Sequence, residues 1–128
     1  MGGLIKSEVG LIDLIGSEIS LGKPFSKEIF LVDTHVAGTN YVHNIEKISD
    51  DIVEGSKLTF FREPDNPYDE LAIVVKDGKG NKIGYVPRDK NEIIARLMDA
   101  GKLIYGVVKS KEIIDGWTKL DMKIFLKD

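Results

Sequence analysis

Apolar residues near the end of the chain fall on every second position. Between Trp117 and Leu126, Leu120, Met122, Ile124 and Leu126 alternate with Asp121, Lys123 and Phe125, the period of a strand with one face on a core. Leu58 and Phe60 flank Thr59 in the same way within residues 57–61. Blocks at 29–32, continuing to Val36-Ala37 and interrupted at Ala37-Gly38-Thr39-Asn40, and at 72–75, 83–86 and 103–108 predict further strands. The cluster Asp77-Gly78-Lys79-Gly80-Asn81 is a turn of the kind that closes a hairpin. One segment changes period. Ile93, Ile94, Leu97 and Met98 form an apolar helical face, Asp89 is placed as N-cap with Glu92 three residues on, and Gly101 stops the helix.

Short strands around one helix predict a mainly β fold, a small antiparallel β-barrel of the OB-like or SH3-like kind. Ahead of it, Leu4, Ile5, Leu11, Ile12 and Ile15 fall on one side of an imperfect helix broken by Gly10, and residues 16–27 read as a linker. The expected division is therefore an N-terminal extension, 1–27, and a barrel domain, 28–128. At 128 residues the chain has enough length for one modest core.

The net charge of -3 argues against a strongly electrostatic binder but leaves room for a local basic patch. No cysteine is present, which removes disulfides and thiolate metal sites and suits a reducing compartment. The apolar runs are too short for a membrane span, and the start lacks a signal-peptide pattern, so the expected location is cytoplasmic with no membrane partner. His35 and His43 lie eight apart with no histidine or cysteine beside them, so surface or turn positions suit them better than metal or proton chemistry. There is no nucleophile elbow, phosphate-binding loop or dinucleotide fingerprint. The expectation is a protein without catalysis, metal or cofactor.

The stretch Arg62-Glu63-Pro64-Asp65-Asn66-Pro67-Tyr68-Asp69 is the most informative. Its prolines fix their own φ and keep the residues before them out of the helical region, so the loop presents Tyr68 and Asp69 in one orientation. Such a loop serves either as a hairpin connection or as a binding edge.

Val36-Ala37-Gly38-Thr39-Asn40-Tyr41, then Gly55 before a strand, then the Asn66-Pro67-Tyr68-Asp69 loop with Ala72-Ile73, then Gly84-Tyr85-Val86-Pro87-Arg88 resembles the HIRAN domain. The likeness covers about 29–126. That domain occurs at the N-terminus of some DNA translocases of fork repair and as a stand-alone bacterial protein, and this chain looks like the stand-alone form. The resemblance implies an OB-like barrel that binds single-stranded DNA, by capture of a free 3′ end in the best-understood members. It implies that Tyr41 stacks on a terminal base, and that Tyr68 and Asp69 meet the last nucleotide, with the Asp69 carboxylate accepting from the 3′-hydroxyl. It places Arg88 on a phosphate and Trp117 near an aromatic that packs on a base. Asn40 stands where the end-binding members carry a basic residue, and Val42 replaces a second aromatic.

The implied chemistry is sound. A carboxylate accepting a hydroxyl hydrogen bond gains roughly 1.5–3 kcal/mol, whereas a phosphate at the same place would be repelled. Stacking on Tyr41 or Trp117 adds about 1–3 kcal/mol per base. Few phosphate contacts are expected, from Arg88 with Lys90 or Arg62, so the salt dependence should be shallow.

Each residue also has a structural reading. Tyr68, Tyr41 and Trp117 can pack on the barrel, Asp69 can cap its own turn, and Arg88 can pair with Asp89 or Glu92. Arg62 is expected to be structural, paired with Glu63 or Asp69, and Lys109-Ser110-Lys111 to be a solvated face. The leading expectation is a non-catalytic single-stranded DNA-binding module for 3′ ends at replication or repair structures, with a helicase or nuclease acting in trans. The alternative is a protein-interaction module taking a peptide or partner loop in the same groove.

Overall fold

The computed structural model describes residues 27–128. The expected helix over 4–15 and most of the linker after it lie outside the described residues. Strand β1 (Glu28–His35) is followed by a 3-10 turn (Thr39–Tyr41) and a short helix α1 (Ile45–Ser49). Then come β2 (Lys57–Arg62), β3 (Ile73–Lys76), β4 (Lys82–Tyr85), helix α2 (Arg88–Asp99), β5 (Leu103–Ile114) and β6 (Trp117–Lys127). All six strands join one antiparallel sheet in the order β1-β6-β5-β2-β3-β4.

The sheet curls until its edges meet. Just past β1, Ala37 donates to the Tyr85 carbonyl at 2.8 Å and accepts from the Tyr85 amide at 2.9 Å, linking the two edge strands. Gly84 allows this. A Cβ there would stand 2.4 Å from the Ala37 carbonyl oxygen and 2.6 Å from Val36 Cγ1, so only hydrogen fits. The fold is the expected mainly β, OB-like barrel.

The strand periods set the core. Leu58 and Phe60 from β2, Ile73 and Val75 from β3, Ile83 from β4, and Leu120, Met122 and Ile124 from β6 are buried together, each fully buried large side chain contributing about 1.5–3 kcal/mol. Helix α2 closes one end with Ile94 and Ala95. Ile93, expected on the same face, is exposed instead, because the buried stripe runs through Asn91, Ile94 and Ala95.

The helix start also differs from expectation. Pro87 occupies the cap position with no side-chain cap bond, and Asp89 lies inside the first turn. Proline has no N–H to satisfy and a preset φ, so the chain enters the helix there. Asp89 then acts only through its charge at the positive end of the helix, and Glu92 pairs forward with Arg96 at 3.2 Å.

Strand β5 runs on to Ile114, beyond the expected end at Val108. Asp115 (φ 49) and Gly116 (φ 81) form a two-residue turn with both φ positive, and Ile114 pairs with Trp117 across it. Asp-Gly is a preferred sequence for that turn. This end of the hairpin stands clear of the core, which is why its residues lose the apolar alternation. The hairpin expected at Asp77–Asn81 is present, with the Asp77 carboxylate accepting from the Lys79 and Asn81 amides at 2.9 and 2.8 Å. Among the described residues no helix is long and apolar enough to cross a membrane.

Candidate functional site

The loop 63–72 is built by one side chain more than by its prolines. Asn66 Oδ1 accepts from the Tyr68 and Asp69 amides at 2.8 and 3.2 Å, and Asn66 Nδ2 donates to Glu63 Oε1 at 2.6 Å. That is an Asx turn, in which the side chain stands in for a backbone carbonyl. Arg62 holds the loop from behind. It donates to the Ala72 and Glu70 carbonyls at 2.8 and 3.0 Å and pairs with Asp99 at 2.9 Å. Arg62 is structural as expected, but its acidic partner is Asp99 of α2 rather than Glu63 or Asp69.

Between this loop, the closing seam and the first turn of α2 lies a pocket of about 620 Å³. Tyr68, Asp69 and Arg88 all line it, together with Glu63, Tyr85 and Asn91. Tyr68 is 84% exposed, its backbone fixed by Asn66 and its ring not packed away. Arg88 donates to the Tyr68 carbonyl at 2.6 Å and holds its Nε 3.6 Å from Asp69 Oδ2. The acidic group beside Arg88 is thus Asp69, not Asp89 or Glu92.

Asp69 is partly engaged by its own surroundings. Oδ1 accepts from the Leu71 amide at 2.9 Å and Oδ2 from Asn91 Nδ2 at 2.8 Å. These bonds, Asn91 first, hold its pKa below the ordinary 3.8, with Arg88 adding to them. A carboxylate has about four lone-pair sites, so Asp69 arrives fixed and charged with acceptor capacity to spare. Glu63 is held in the same style. Hydrogen bonds from Asn66 and from the Tyr85 hydroxyl (2.8 Å) lower its pKa, with Lys82 adding charge.

Tyr41, 93% exposed, does not line the pocket, but its ring lies near Gly38, which does: a Cβ on Gly38 would lie 3.9 Å from Tyr41 Cδ2. Asn40 and Trp117 are placed elsewhere. They line a second concavity of about 420 Å³ with Asp115 and Gly116 of the hairpin. The 3-10 turn divides the two, anchored by Thr39 Oγ1 donating to the Thr118 carbonyl at 2.6 Å. The expected residues therefore separate into a central group of Tyr68, Asp69 and Arg88, a neighbour in Tyr41, and a distinct pair, Asn40 and Trp117.

Sequence reasoning missed Asn91, which is 3% exposed, as well as Glu63 and Lys82 in the pocket wall. Asn91 had a usable signal. It follows Arg88 by three residues in one helix, a spacing that puts both on one face.

A small barrel thus carries one open pocket on its seam, lined by apolar surface with a few charged and amide groups, and among the described residues there is no cluster of carboxylates, histidines or cysteines fit to hold a metal. The HIRAN domain family model matches residues 29–127, and the chain belongs to that family. A protein from Lactobacillus plantarum of known crystal structure is similar at 29% identity and a TM-score of 0.72, covering 80% of this chain and 98% of that one. The HIRAN domain of HLTF, determined by NMR in its DNA-bound conformation, is similar at 26% identity and a TM-score of 0.52, covering 77% of this chain and 78% of that one. The helicase-like transcription factor of Oryctolagus cuniculus is 32% identical over 65 residues, 51% of this chain. The matched stretch spans only 6% of that protein's length.

Proposed function

We propose that this chain is a non-catalytic module that binds single-stranded DNA and receives the 3′ end of the strand in the pocket formed by Tyr68, Asp69 and Arg88. The observation that carries this reading is the convergence of those side chains on one open pocket, in a family with a member determined in a DNA-bound conformation. Asp69, held by Asn91 and Leu71, accepts a hydrogen bond from the terminal hydroxyl. The exposed rings of Tyr68 and Tyr41 stack on bases, and Arg88 reaches a phosphate from the helix start. Trp117 and Asn40 line the second concavity, apart from this strand end. The setting proposed is a replication or repair structure, with a helicase or nuclease acting in trans.

A strand that continued past the pocket would bring a phosphate against Asp69, which disfavours strand interiors. Anisotropy titrations at low salt with oligonucleotides ending in a 3′-hydroxyl, a 3′-phosphate or a blocked 3′ carbon test this. Binding of the hydroxyl end about tenfold tighter is expected, from one charge-assisted hydrogen bond. Equal affinity for all ends removes end recognition.

A second reading has its own support. The pocket sets the carboxylates Glu63 and Asp69 against the cations Lys82 and Arg88, so it carries no net charge, and the whole chain is at -3. A peptide or partner loop with donors of its own would fit those terms, and failure to bind any oligonucleotide would favour it.

A further inference from the structure

On the outer face of the sheet, three lysines lie over aromatic rings, one within its own strand and two on the neighbouring strand. The Lys82 ammonium is 4.5 Å from the centre of the Tyr85 ring on β4, Lys76 of β3 is 4.5 Å from that of Phe61 on β2, and Lys57 of β2 is 4.6 Å from that of Tyr105 on β5. The series begins at the pocket, whose wall includes Lys82. It then crosses two strands, a step of roughly 10 Å.

The charges are arranged against the interest of the sheet. Lys76 and Lys82 are direct register partners on β3 and β4, and like charges facing across a ladder are unfavourable. Among the described residues, lysine ion pairs within 4 Å involve Lys79, Lys109 and Lys119. Lys57, Lys76 and Lys82 enter none. Glu63, the carboxylate that feels Lys82, is already occupied by Asn66 and Tyr85. Each ring steadies its ammonium group without neutralising it. Thr59 stands between Lys76 and Tyr105 in register, and the acid at the far end of the band, Glu28, is engaged by the Tyr105 hydroxyl.

We infer that Lys82, Lys76 and Lys57 form a track for the phosphates of a nucleic-acid strand whose end occupies the pocket, so that the strand leaves over the outer face of β4, β3 and β2. This rests on the proposed function and extends it from an end to a path. A polyanion relieves the facing of Lys76 and Lys82, whereas a neutral peptide does not.

The test compares a thymidine trinucleotide with a thymidine dodecamer, both with free 3′-hydroxyls and 5′ fluorophores, on the full chain. Lys57 and Lys76 lie outside the pocket, so the variant Lys57→Gln/Lys76→Gln removes the distal track alone. The expected result is dodecamer affinity reduced about fivefold or more, and a log–log salt slope shallower by about 1.4, at ~0.7 per phosphate. Trinucleotide affinity should be unchanged, which also reports an intact fold. Lys57→Arg/Lys76→Arg should bind as wild type.

An unchanged dodecamer affinity overturns the track and leaves the pocket reading standing. If the double variant loses both probes, Lys57→Gln alone decides: an equal loss of both oligomers there overturns the track, and a loss confined to the dodecamer supports it. Tighter binding of a poly-glutamate peptide than of the dodecamer overturns nucleic acid as the occupant. A wild-type chain that binds neither oligomer removes the function and the track together.

Discussion

Asp69 shows how the proposed chemistry is set by a neighbour the motif does not contain. Its carboxylate is oriented by Asn91 from the buried face of α2, and that bond is the largest cause of its lowered pKa. Asn91→Ala should therefore raise the Asp69 pKa toward 3.8, read by carboxyl NMR titration, and cost about 1–3 kcal/mol of stability by removing a buried hydrogen bond. Part of that cost depends on pH. A depressed carboxylate stabilises the fold above its unfolded value and loses that contribution as pH falls through the folded pKa. The stability gap between wild type and variant should be widest near neutrality and narrow below about pH 3.8. A gap constant from pH 7 to 2.5 would deny Asn91 this role. Tyr68, Asp69 and Arg88 were legible because their spacing is fixed by a motif. Asn91 was missed, because a polar residue on a helix reads as solvated unless its three-residue spacing from Arg88 is followed.

At the scale of elements, strands and turns were legible where both faces of a strand differ. Strand β6 shows it best, with Leu120, Met122 and Ile124 buried and Asp121 and Lys123 turned outward. The outer half of β5 was not, because residues past Val108 have solvent on both sides and no alternation to display. Helix α1 is too short, at 5 residues, to show a period. The closing seam was equally hidden, since it rests on a bridge between Ala37 and Tyr85 that are distant in sequence. Gly84 is its weak point. Gly84→Ala places a methyl group 2.4 Å from the Ala37 carbonyl oxygen, and should destabilise the protein by more than about 2 kcal/mol in urea unfolding. Because Ala37, Gly38 and Tyr85 also line the pocket, any folded fraction should lose ligand affinity as well. A variant as stable as wild type would show that the seam relaxes freely.

For the molecule as a whole, the curl of one sheet brings the loop after β2, the end of β4 and the start of α2 to a single place. The sequence reading expected one notch holding Tyr41, Tyr68, Asp69, Arg88 and Trp117. The fold delivers a pocket and a separate hairpin concavity, with Asn40 and Trp117 lining the second and not the first. No one-dimensional pattern carries that division. It matters for mechanism, since a strand end small enough for the pocket need not touch Trp117. Chemical-shift mapping of the backbone and side-chain amides with a thymidine trinucleotide is the sharpest test of strand-end binding in the pocket. Shifts are expected at Asn66, Tyr68, Asp69, Arg88 and Asn91, with the hairpin around Asp115 unmoved. Shifts confined to the hairpin and Trp117, or none at saturating ligand, would contradict it.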